Sequence, residues 1–406
     1  MKPPKNPKYD KFSTQTRLVH QATGYAMPDF GLKTVNPPIN RGSTLLYDDF
    51  ASVHAWRDEK AKSGHIGYGL SGTDLTLALE TMMAELDGGT QAVATGSGLS
   101  AVALGMSTFV SAGDQILVAD NVYGPARTYA NQMLKRFGVE VTFFDPMDLD
   151  ALKGLIQPNA KVLYFELPGS LTFEVPDAEA LYAVAKAHDL ITVVDTTWPT
   201  SLYYPAIARG ADVSLAAGTK YYAGHSDVFF GIVVGNERTG LALRQQSGLM
   251  GNYIAPDDAY LSLRGMRTLK VRLDAISKSA LEVATFLTTH PAVQGVRHPA
   301  LANCPGHAHW QAQFDGASGL FGVFLNPSIT NDQAERVVEA LELFGIGYSW
   351  GGYESLAVVS HVAPFRSVTS WQEASKGKGP LLRLQIGLED PADLITDLTQ
   401  ALDGLA

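Results

Sequence analysis

A lysine in an unusually crowded stretch of sequence is the first residue that could carry out chemistry. Lys220 follows Ala216-Ala217-Gly218-Thr219 and precedes two tyrosines and Ala223-Gly224. Small residues and glycines on both sides indicate a tightly packed loop. Partial burial there would lower the pKa of the amine and make it nucleophilic enough to form an imine with a carbonyl group. Taken alone, an ordinary surface lysine is the commoner explanation.

An aspartate at the end of an apolar run is the second candidate. Asp195 follows Leu190-Ile191-Thr192-Val193-Val194, a run that predicts a buried strand. A carboxylate in that position is costly unless it has a charged or hydrogen-bonding partner. A protonated pyridine nitrogen would be such a partner, because the aspartate keeps the ring cationic and able to accept electrons. The alternative is an aspartate that caps the following helix.

A glycine-rich turn could bind a phosphate. Gly96-Ser97-Gly98 follows one predicted strand and begins a helix, so its backbone N–H groups and the positive end of that helix favour an anion. With Ala101 and with Asp120 after the next strand, the turn also resembles a dinucleotide-binding fingerprint. A tight turn that needs glycine for close packing explains it equally well. The segment 67–72 has a similar glycine spacing, but no strand pattern precedes it.

Alternating helices and strands must position these residues. Short apolar runs at 91–94, 115–119, 140–144, 161–165, 191–194 and 231–234 alternate with helical patterns, which predicts a mostly parallel sheet covered by helices. Ligands of such sheets bind beyond the carboxyl ends of the strands. The loops after four of these strands carry the informative residues, and we expect them to converge on one site.

The chain divides into three predicted parts. Residues 1–72 are rich in Pro, Gly, Asn and Thr and predict an extended N-terminal arm, which must pack on another surface. Residues 73–267 predict the α/β domain. Residues 268–406 predict a smaller α+β domain, in which a helix over 268–290 precedes a strand at 320–325, a helix at 333–344, a strand at 381–387 and a helix at 391–402.

Composition excludes several classes of partner. The 406 residues carry a net charge of −10 with no basic block, which argues against nucleic acid. The apolar runs are much shorter than the roughly 20 residues that cross a bilayer, and no secretory signal pattern is present, so we expect neither membrane nor export. The single cysteine, Cys304, fits a reducing compartment, and we expect the cytoplasm.

Two other chemistries find little support. His298, Cys304, His307 and His309 lie close in sequence, but their spacing does not match a usual metal site, and we expect no metal. The serine of Gly98-Leu99-Ser100-Ala101-Val102 lacks the final glycine of a hydrolase elbow.

Taken together, the segments resemble the trans-sulfuration enzymes of cysteine and methionine metabolism, which depend on pyridoxal 5'-phosphate (PLP). The resemblance runs nearly end to end and implies PLP-dependent transferase fold type I, as in aspartate aminotransferase. The segments that carry it are 68–69, 97–98, 123–124, 166–175, 195–198, 219–221, 224–227, 264–269, 349–356 and 383–390.

The resemblance implies a role for each residue around the cofactor. Lys220 would hold PLP as a Schiff base and act in catalysis, Asp195 would pair with the pyridine nitrogen, and Tyr123 would stack on the ring and assist catalysis. The remaining cofactor contacts would come from Gly98, Leu99, Thr219, Thr197 and Tyr68.

The resemblance also implies how substrate is bound and how the chain assembles. Arg383 would clamp the substrate carboxylate through two parallel hydrogen bonds, with help from Ser349 and Trp350. Tyr68 would reach in from a neighbouring subunit and contact substrate, so the implied assembly is a homotetramer made of two active dimers.

Within the family, segments 168–175, 195–198 and 348–353 look like those of bacterial cystathionine β-lyases. The implied reaction is β-elimination of L-cystathionine to L-homocysteine, pyruvate and ammonia. Cysteine desulfhydrase, methionine γ-lyase and β-replacement activity on the same scaffold are alternatives. Leu70 and Ala217 depart from the Arg and Ser usual in the family, which keeps open a binding protein that has lost catalysis.

Overall fold

Two β-sheets organise the chain, one in each of its larger parts. The computed structural model describes residues 11–20, 23–27, 31–63, 67–368 and 376–405. The described strands are β1 (Tyr25–Met27), β2 (Leu32–Thr34), β3 (Gln91–Thr95), β4 (Gln115–Ala119), β5 (Glu140–Phe144), β6 (Ala160–Glu166), β7 (Ile191–Asp195), β8 (Val213–Ala216), β9 (Gly231–Gly235), β10 (Val293–Arg297), β11 (Leu320–Leu325), β12 (Gly345–Ile346), β13 (Leu356–Ser360) and β14 (Leu381–Gln385).

Helices cover both sheets. The described α-helices are α1 (Thr14–His20), α2 (Phe50–Ser63), α3 (Asp74–Asp87), α4 (Gly98–Ser107), α5 (Gly124–Tyr129), α6 (Leu149–Leu155), α7 (Ala178–Ala187), α8 (Thr200–Tyr203), α9 (Gly240–Met250), α10 (Pro256–Arg267), α11 (Leu269–Leu287), α12 (His307–Gln313), α13 (Asn331–Glu339) and α14 (Pro391–Asp403).

The larger sheet has seven strands in the order β3-β9-β8-β7-β6-β4-β5. Strand β9 runs antiparallel to its neighbours β3 and β8, and the other pairs are parallel. Burial on both faces explains why the inner strands read as nearly continuous apolar runs. All six predicted strands are present; β4 and β5 have the predicted bounds, and the other four differ by one residue at one or both ends. Strand β8 was not predicted, because Ser214 interrupts its short apolar run.

The smaller sheet has five strands in the order β10-β11-β14-β13-β12. The predicted long helix is α11, and β11 has its predicted bounds. The helix predicted at 333–344 ends earlier, at Glu339. The helix does not continue to residue 344, because the backbone N–H groups of Glu342 and Leu343 donate to the carboxylate of Asp397 on α14, at 2.9 and 2.8 Å.

The arm is only partly extended. Its described residues include α1, α2 and the β1–β2 hairpin. It packs on its own chain through a 2.5 Å ion pair between Arg41 and Asp257 and through the buried side chain of Leu18. Some other large apolar side chains of the arm are exposed, among them Leu32, Val35, Leu46 and Phe50. The division at residues 72 and 267 stays a prediction. Among the described helices, none has the length and apolar composition needed to cross a membrane.

Candidate active site

Two carboxyl groups end neighbouring strands at one edge of the large sheet. Asp195 closes β7 and lies opposite Glu166 of β6 in the parallel register. The Asp195 Oδ1 atom accepts hydrogen bonds from the Thr197 N–H at 2.9 Å and from the Thr197 hydroxyl at 2.5 Å. Its Oδ2 atom accepts none from the described residues. Burial raises the pKa of Asp195 to about 6, because an uncompensated charge is unfavourable there.

Glu166 connects this edge to Tyr123. Its Oε2 atom accepts the backbone N–H of Tyr123 at 2.6 Å, and its Oε1 atom accepts the Ser170 hydroxyl at 2.6 Å. Burial, followed by the charge of Asp195, raises the pKa of Glu166 well above its usual range. The Tyr123 side chain remains half exposed. The phenol ring is therefore available to a ligand at the strand ends.

Lys220 lies in the loop that follows β8. Its Nζ atom donates to the Ser349 hydroxyl at 2.8 Å and lies 5.3 Å from the centre of the Trp350 ring. Burial, followed by the charge of Arg383, lowers the pKa of the lysine to about 8. A minor but appreciable fraction of the amine is therefore neutral near physiological pH, and this neutral form can attack a carbonyl.

Glycines allow the two loops at Lys220 to approach each other. A Cβ on Gly218 would lie 2.0 Å from the Phe230 ring, and one on Gly351 would lie 2.9 Å from the Lys220 Cβ. Gly351 also has φ +83°, which other residues seldom adopt. The loop that carries Ser349 and Trp350 therefore packs directly on the lysine loop.

Arg383 brings a second cation to the site from β14. Its guanidinium donates to the backbone carbonyl of Tyr348 at 2.8 Å and forms no ion pair within the described part of the chain. Burial lowers its pKa. The predicted substrate residues Arg383, Ser349 and Trp350 are thus brought together beside Lys220.

The N-terminus of α4 offers free backbone donors. Ser97 caps this helix and accepts the Ser100 N–H at 3.1 Å. The N–H groups of Gly98 and Leu99 precede the first intrahelical hydrogen bond and can bind an anion. A Cβ on Gly98 would lie 2.5 Å from the Ala217 Cβ, so glycine lets this turn approach the lysine loop.

Two predicted residues have other contacts. The Thr219 hydroxyl donates to the Phe230 carbonyl at 3.1 Å and accepts the Phe230 N–H at 3.0 Å, so phosphate binding would require it to release that carbonyl. Tyr68 lies on the arm, half exposed. In the part of the chain that the structure describes, no hydrogen bond or ring contact joins Tyr68 to Lys220 or Tyr123. Their predicted roles stay predictions.

A family model agrees with this geometry. The model described as Cys/Met metabolism PLP-dependent enzyme matches residues 15–403. The chain belongs to this family. Its cofactor is therefore PLP, as the sequence predicts.

Relatives span nearly the whole chain. A cystathionine beta-lyase from Bordetella avium is 41% identical over 96% of this chain and 98% of its own length. An L-alanine/L-glutamate racemase from Wolbachia pipientis wMel is 36% identical over 91% of this chain and 92% of its own length. The crystal structure of a cystathionine gamma-lyase from Lactobacillus plantarum with L-serine has a TM-score of 0.85 and 28% identity, covering 97% of this chain and 99% of that one. Fold type I is thus confirmed.

The residues at the strand ends fit PLP. A phosphate would find the free N–H groups of Gly98 and Leu99, and a ring cation would find the unsatisfied Oδ2 atom of Asp195. The amine of Lys220 has the lowered pKa that bonding to an aldehyde needs. Thr197 reaches the site through Asp195, which it holds by two hydrogen bonds.

Glu166 is absent from the predicted site residues. Its signal in the sequence was the same as that of Asp195, since each acid directly follows an apolar run. The histidines lie elsewhere. His298 is buried against Trp198 and Phe321, and the His307 Nδ1 atom lies 2.8 Å from the Pro299 carbonyl. Among the described residues, no three His, Cys, Asp or Glu side chains could hold a metal.

Proposed function

We propose that this chain is a PLP-dependent carbon-sulfur β-lyase that cleaves L-cystathionine. The observation that carries the proposal is the Lys220 amine, which lies beside Ser349 and a cation, Arg383, that has no ion-pair partner in the described residues. An amino acid places its α-amino and α-carboxylate groups a few bonds apart, which suits this pair of residues. The similarity to a cystathionine beta-lyase supports sulfur in the substrate.

Each residue of the site has a distinct task. PLP, when bound, withdraws electrons from the Cα atom of an amino acid. Asp195 supplies the negative charge that keeps the ring cationic, and Tyr123 covers the ring. Arg383 binds the α-carboxylate through two hydrogen bonds. Lys220 removes the Cα proton with its neutral Nζ atom.

The reaction balances with water alone. Loss of the Cα proton to Lys220 is followed by cleavage of the Cβ–S bond, whose electron pair leaves with sulfur. The sulfur takes up a proton and departs as L-homocysteine. Hydrolysis of the three-carbon remainder yields pyruvate and ammonia.

Product analysis tests the proposal. Purified protein saturated with PLP should release pyruvate and L-homocysteine from L-cystathionine in equal amounts. Release of 2-oxobutyrate instead would mark cleavage on the γ side and overturn β-lyase activity. An absence of turnover on every sulfur amino acid would favour a binding protein that has lost catalysis.

Alanine racemisation is a second candidate, which the similarity to an L-alanine/L-glutamate racemase favours. Alanine has no leaving group on Cβ, so removal and return of its Cα proton can only exchange or invert that centre. Formation of D-alanine from L-alanine, measured by chiral chromatography, tests this activity. Retention of pure L-alanine after prolonged incubation would exclude it.

We infer that the working unit is a homotetramer of two active dimers. The arm exposes large apolar side chains that a second copy would cover, and Tyr68 lies among them: Leu32, Val35, Leu46, Phe50, Tyr68 and Leu70. A mixture of K220A and Y68F chains tests the arrangement. If Tyr68 acts in the neighbouring subunit, mixed dimers should recover activity that neither variant has alone.

We also infer that the enzyme acts in the cytoplasm. Cys304, the single cysteine of the chain, is buried and unpaired, which suits a reducing compartment. Cell fractionation with an antibody against the chain would test this location.

A further inference from the structure

Glu166 and Asp195 form a pair of carboxyl groups at neighbouring strand ends. They are direct partners in the parallel register of β6 and β7, so their side chains emerge on the same face of the sheet. Adjacent strands lie only about 4.8 Å apart. Two carboxylates this close in a buried site repel each other strongly, and one of them retains its proton.

The surroundings relieve this repulsion only in part. Within the described residues, no lysine, arginine or histidine forms an ion pair with Glu166 or Asp195. The titratable groups that face Glu166 are Tyr164 on its own strand, Tyr123 from the loop after β4, and Arg366, which donates to the Ser170 carbonyl at 2.7 Å. Arg366 lowers the pKa of Glu166 less than burial and Asp195 raise it.

The two carboxyl groups differ in their hydrogen bonds. Both donors to Asp195 come from Thr197 and reach Oδ1, which leaves Oδ2 open toward a cation. Both oxygens of Glu166 are engaged, by Tyr123 and Ser170. A protonated Oε1 can donate to the Ser170 hydroxyl over the same 2.6 Å, while Oε2 still accepts the Tyr123 N–H.

We propose that Glu166 and Asp195 share one proton, which Glu166 holds, and that neutral Glu166 positions Tyr123 through its backbone N–H. Asp195 is then the single negative charge that faces the cofactor ring. The inference deepens the proposed function and rests on it, because Tyr123 and Asp195 act there on the cofactor. Glu166 is a positioning residue, since it acts through Tyr123 and Asp195.

Infrared spectroscopy of the PLP-free protein tests the protonation. A protonated carboxyl group has its own C=O band, and labelling with 13C-glutamate separates glutamate from aspartate. At pH 7 the wild type should show a labelled band that disappears in E166Q. The band should persist in E174Q, a matched control at another buried glutamate whose pKa is raised. Absence of a glutamate band, or its loss in E174Q only, overturns the proposal.

The D195N variant tests whether Glu166 and Asp195 share a proton. Removal of the neighbouring negative charge should lower the pKa at which the Glu166 band titrates by about one unit or more. An unchanged Glu166 titration in D195N would show that the two groups are independent and would overturn the shared proton.

Substitution of Glu166 tests the positioning of Tyr123. E166A should lower kcat about 10- to 100-fold, as is usual when a supporting hydrogen bond is lost, and E166Q should recover most of this loss. Equal losses in both variants would show that a neutral side chain does not suffice. A wild type that cleaves cystathionine but lacks the Glu166 band would refute this inference and leave the proposed function standing.

Discussion

Asp120 follows β4 and Asp195 ends β7 at the same edge of the large sheet, yet their surroundings are opposite. Asp120 pairs with Arg127 at 2.7 Å and accepts the backbone N–H groups of Ser367 and Val368. Asp195 accepts hydrogen bonds from Thr197 alone among the described residues, and none of their cations forms an ion pair with it. A buried charge that is fully compensated serves structure, whereas one that lacks a counter-charge awaits a ligand.

The same comparison argues against the alternative that the turn at Gly98 binds a dinucleotide. That reading requires Asp120 to bind a ribose, but both of its oxygens are engaged by the chain itself. The Asp120 carboxylate also accepts a hydrogen bond from the Ser367 hydroxyl at 2.9 Å. Asp120 therefore holds residues 367–368 against the loop after β4, and Asp195 stays the proposed ligand-binding aspartate of this edge.

The largest effect on activity should come from Lys220, the amine on the ligand side of the comparison. K220A removes both the proposed attachment point for PLP and the proposed base, and kcat should fall at least about a hundred- to ten-thousand-fold. Pyruvate release measures it. K186A, at an exposed lysine of α7, should keep wild-type activity. Substantial turnover by K220A would assign the base elsewhere.

The next effect should fall on stability and come from the compensated aspartate. D120N leaves the buried Arg127 guanidinium without its carboxylate, which should cost about 3 to 5 kcal/mol of unfolding free energy. Denaturant unfolding of the PLP-free protein measures this. D195N, which breaks no ion pair among the described residues, should show no such loss. Equal losses of unfolding free energy in D120N and D195N would contradict the difference proposed between the two aspartates.

Arg383 should affect substrate binding more than turnover. R383K keeps the charge but not the paired geometry, and the loss of a charged hydrogen bond should raise KM about 10- to 100-fold. Steady-state kinetics with L-cystathionine measures it. R238K, at a half-exposed arginine, is the matched control. A fall in kcat with an unchanged KM would contradict carboxylate binding by Arg383.

The smallest effect should be a pH-dependent gain in stability in D195N. Burial raises the pKa of Asp195 in the folded protein to about 6, above its unfolded value of about 3.9. The folded state therefore binds the extra proton, and Asp195 increasingly destabilises it as pH rises from about 4 to 6. Without PLP, D195N should gain about 2 to 3 kcal/mol over the wild type across this range.

Exposed Asp150 provides the control for this titration, and D150N should show no comparable change. Bound PLP should narrow the gap between D195N and the wild type, because the ring supplies the missing positive charge. A gap that is independent of pH would show that Asp195 is compensated after all.

The elements that place the site were largely predictable, because buried strands are long enough to show their apolar pattern. The family, the fold and PLP were predicted from a resemblance that segments along nearly the whole chain carry, those at Gly98, Asp195 and Lys220 among them. Strand β8 was not recognised, although it positions Lys220, because Ser214 interrupts its short apolar run. The helix predicted at 333–344 was cut short by Asp397, a contact between residues more than fifty positions apart.

The sequence by itself determined which side chains could do chemistry, since an acid after an apolar run or a lysine among glycines is a local pattern. Only the tertiary structure decided what each one does, because compensation of a buried charge depends on residues distant in the chain. Asp120, Glu166 and Asp195 share one local pattern. Contacts from Arg127, Tyr123 and Thr197 turn them into an ion-pair anchor, a positioning group and an open counter-charge.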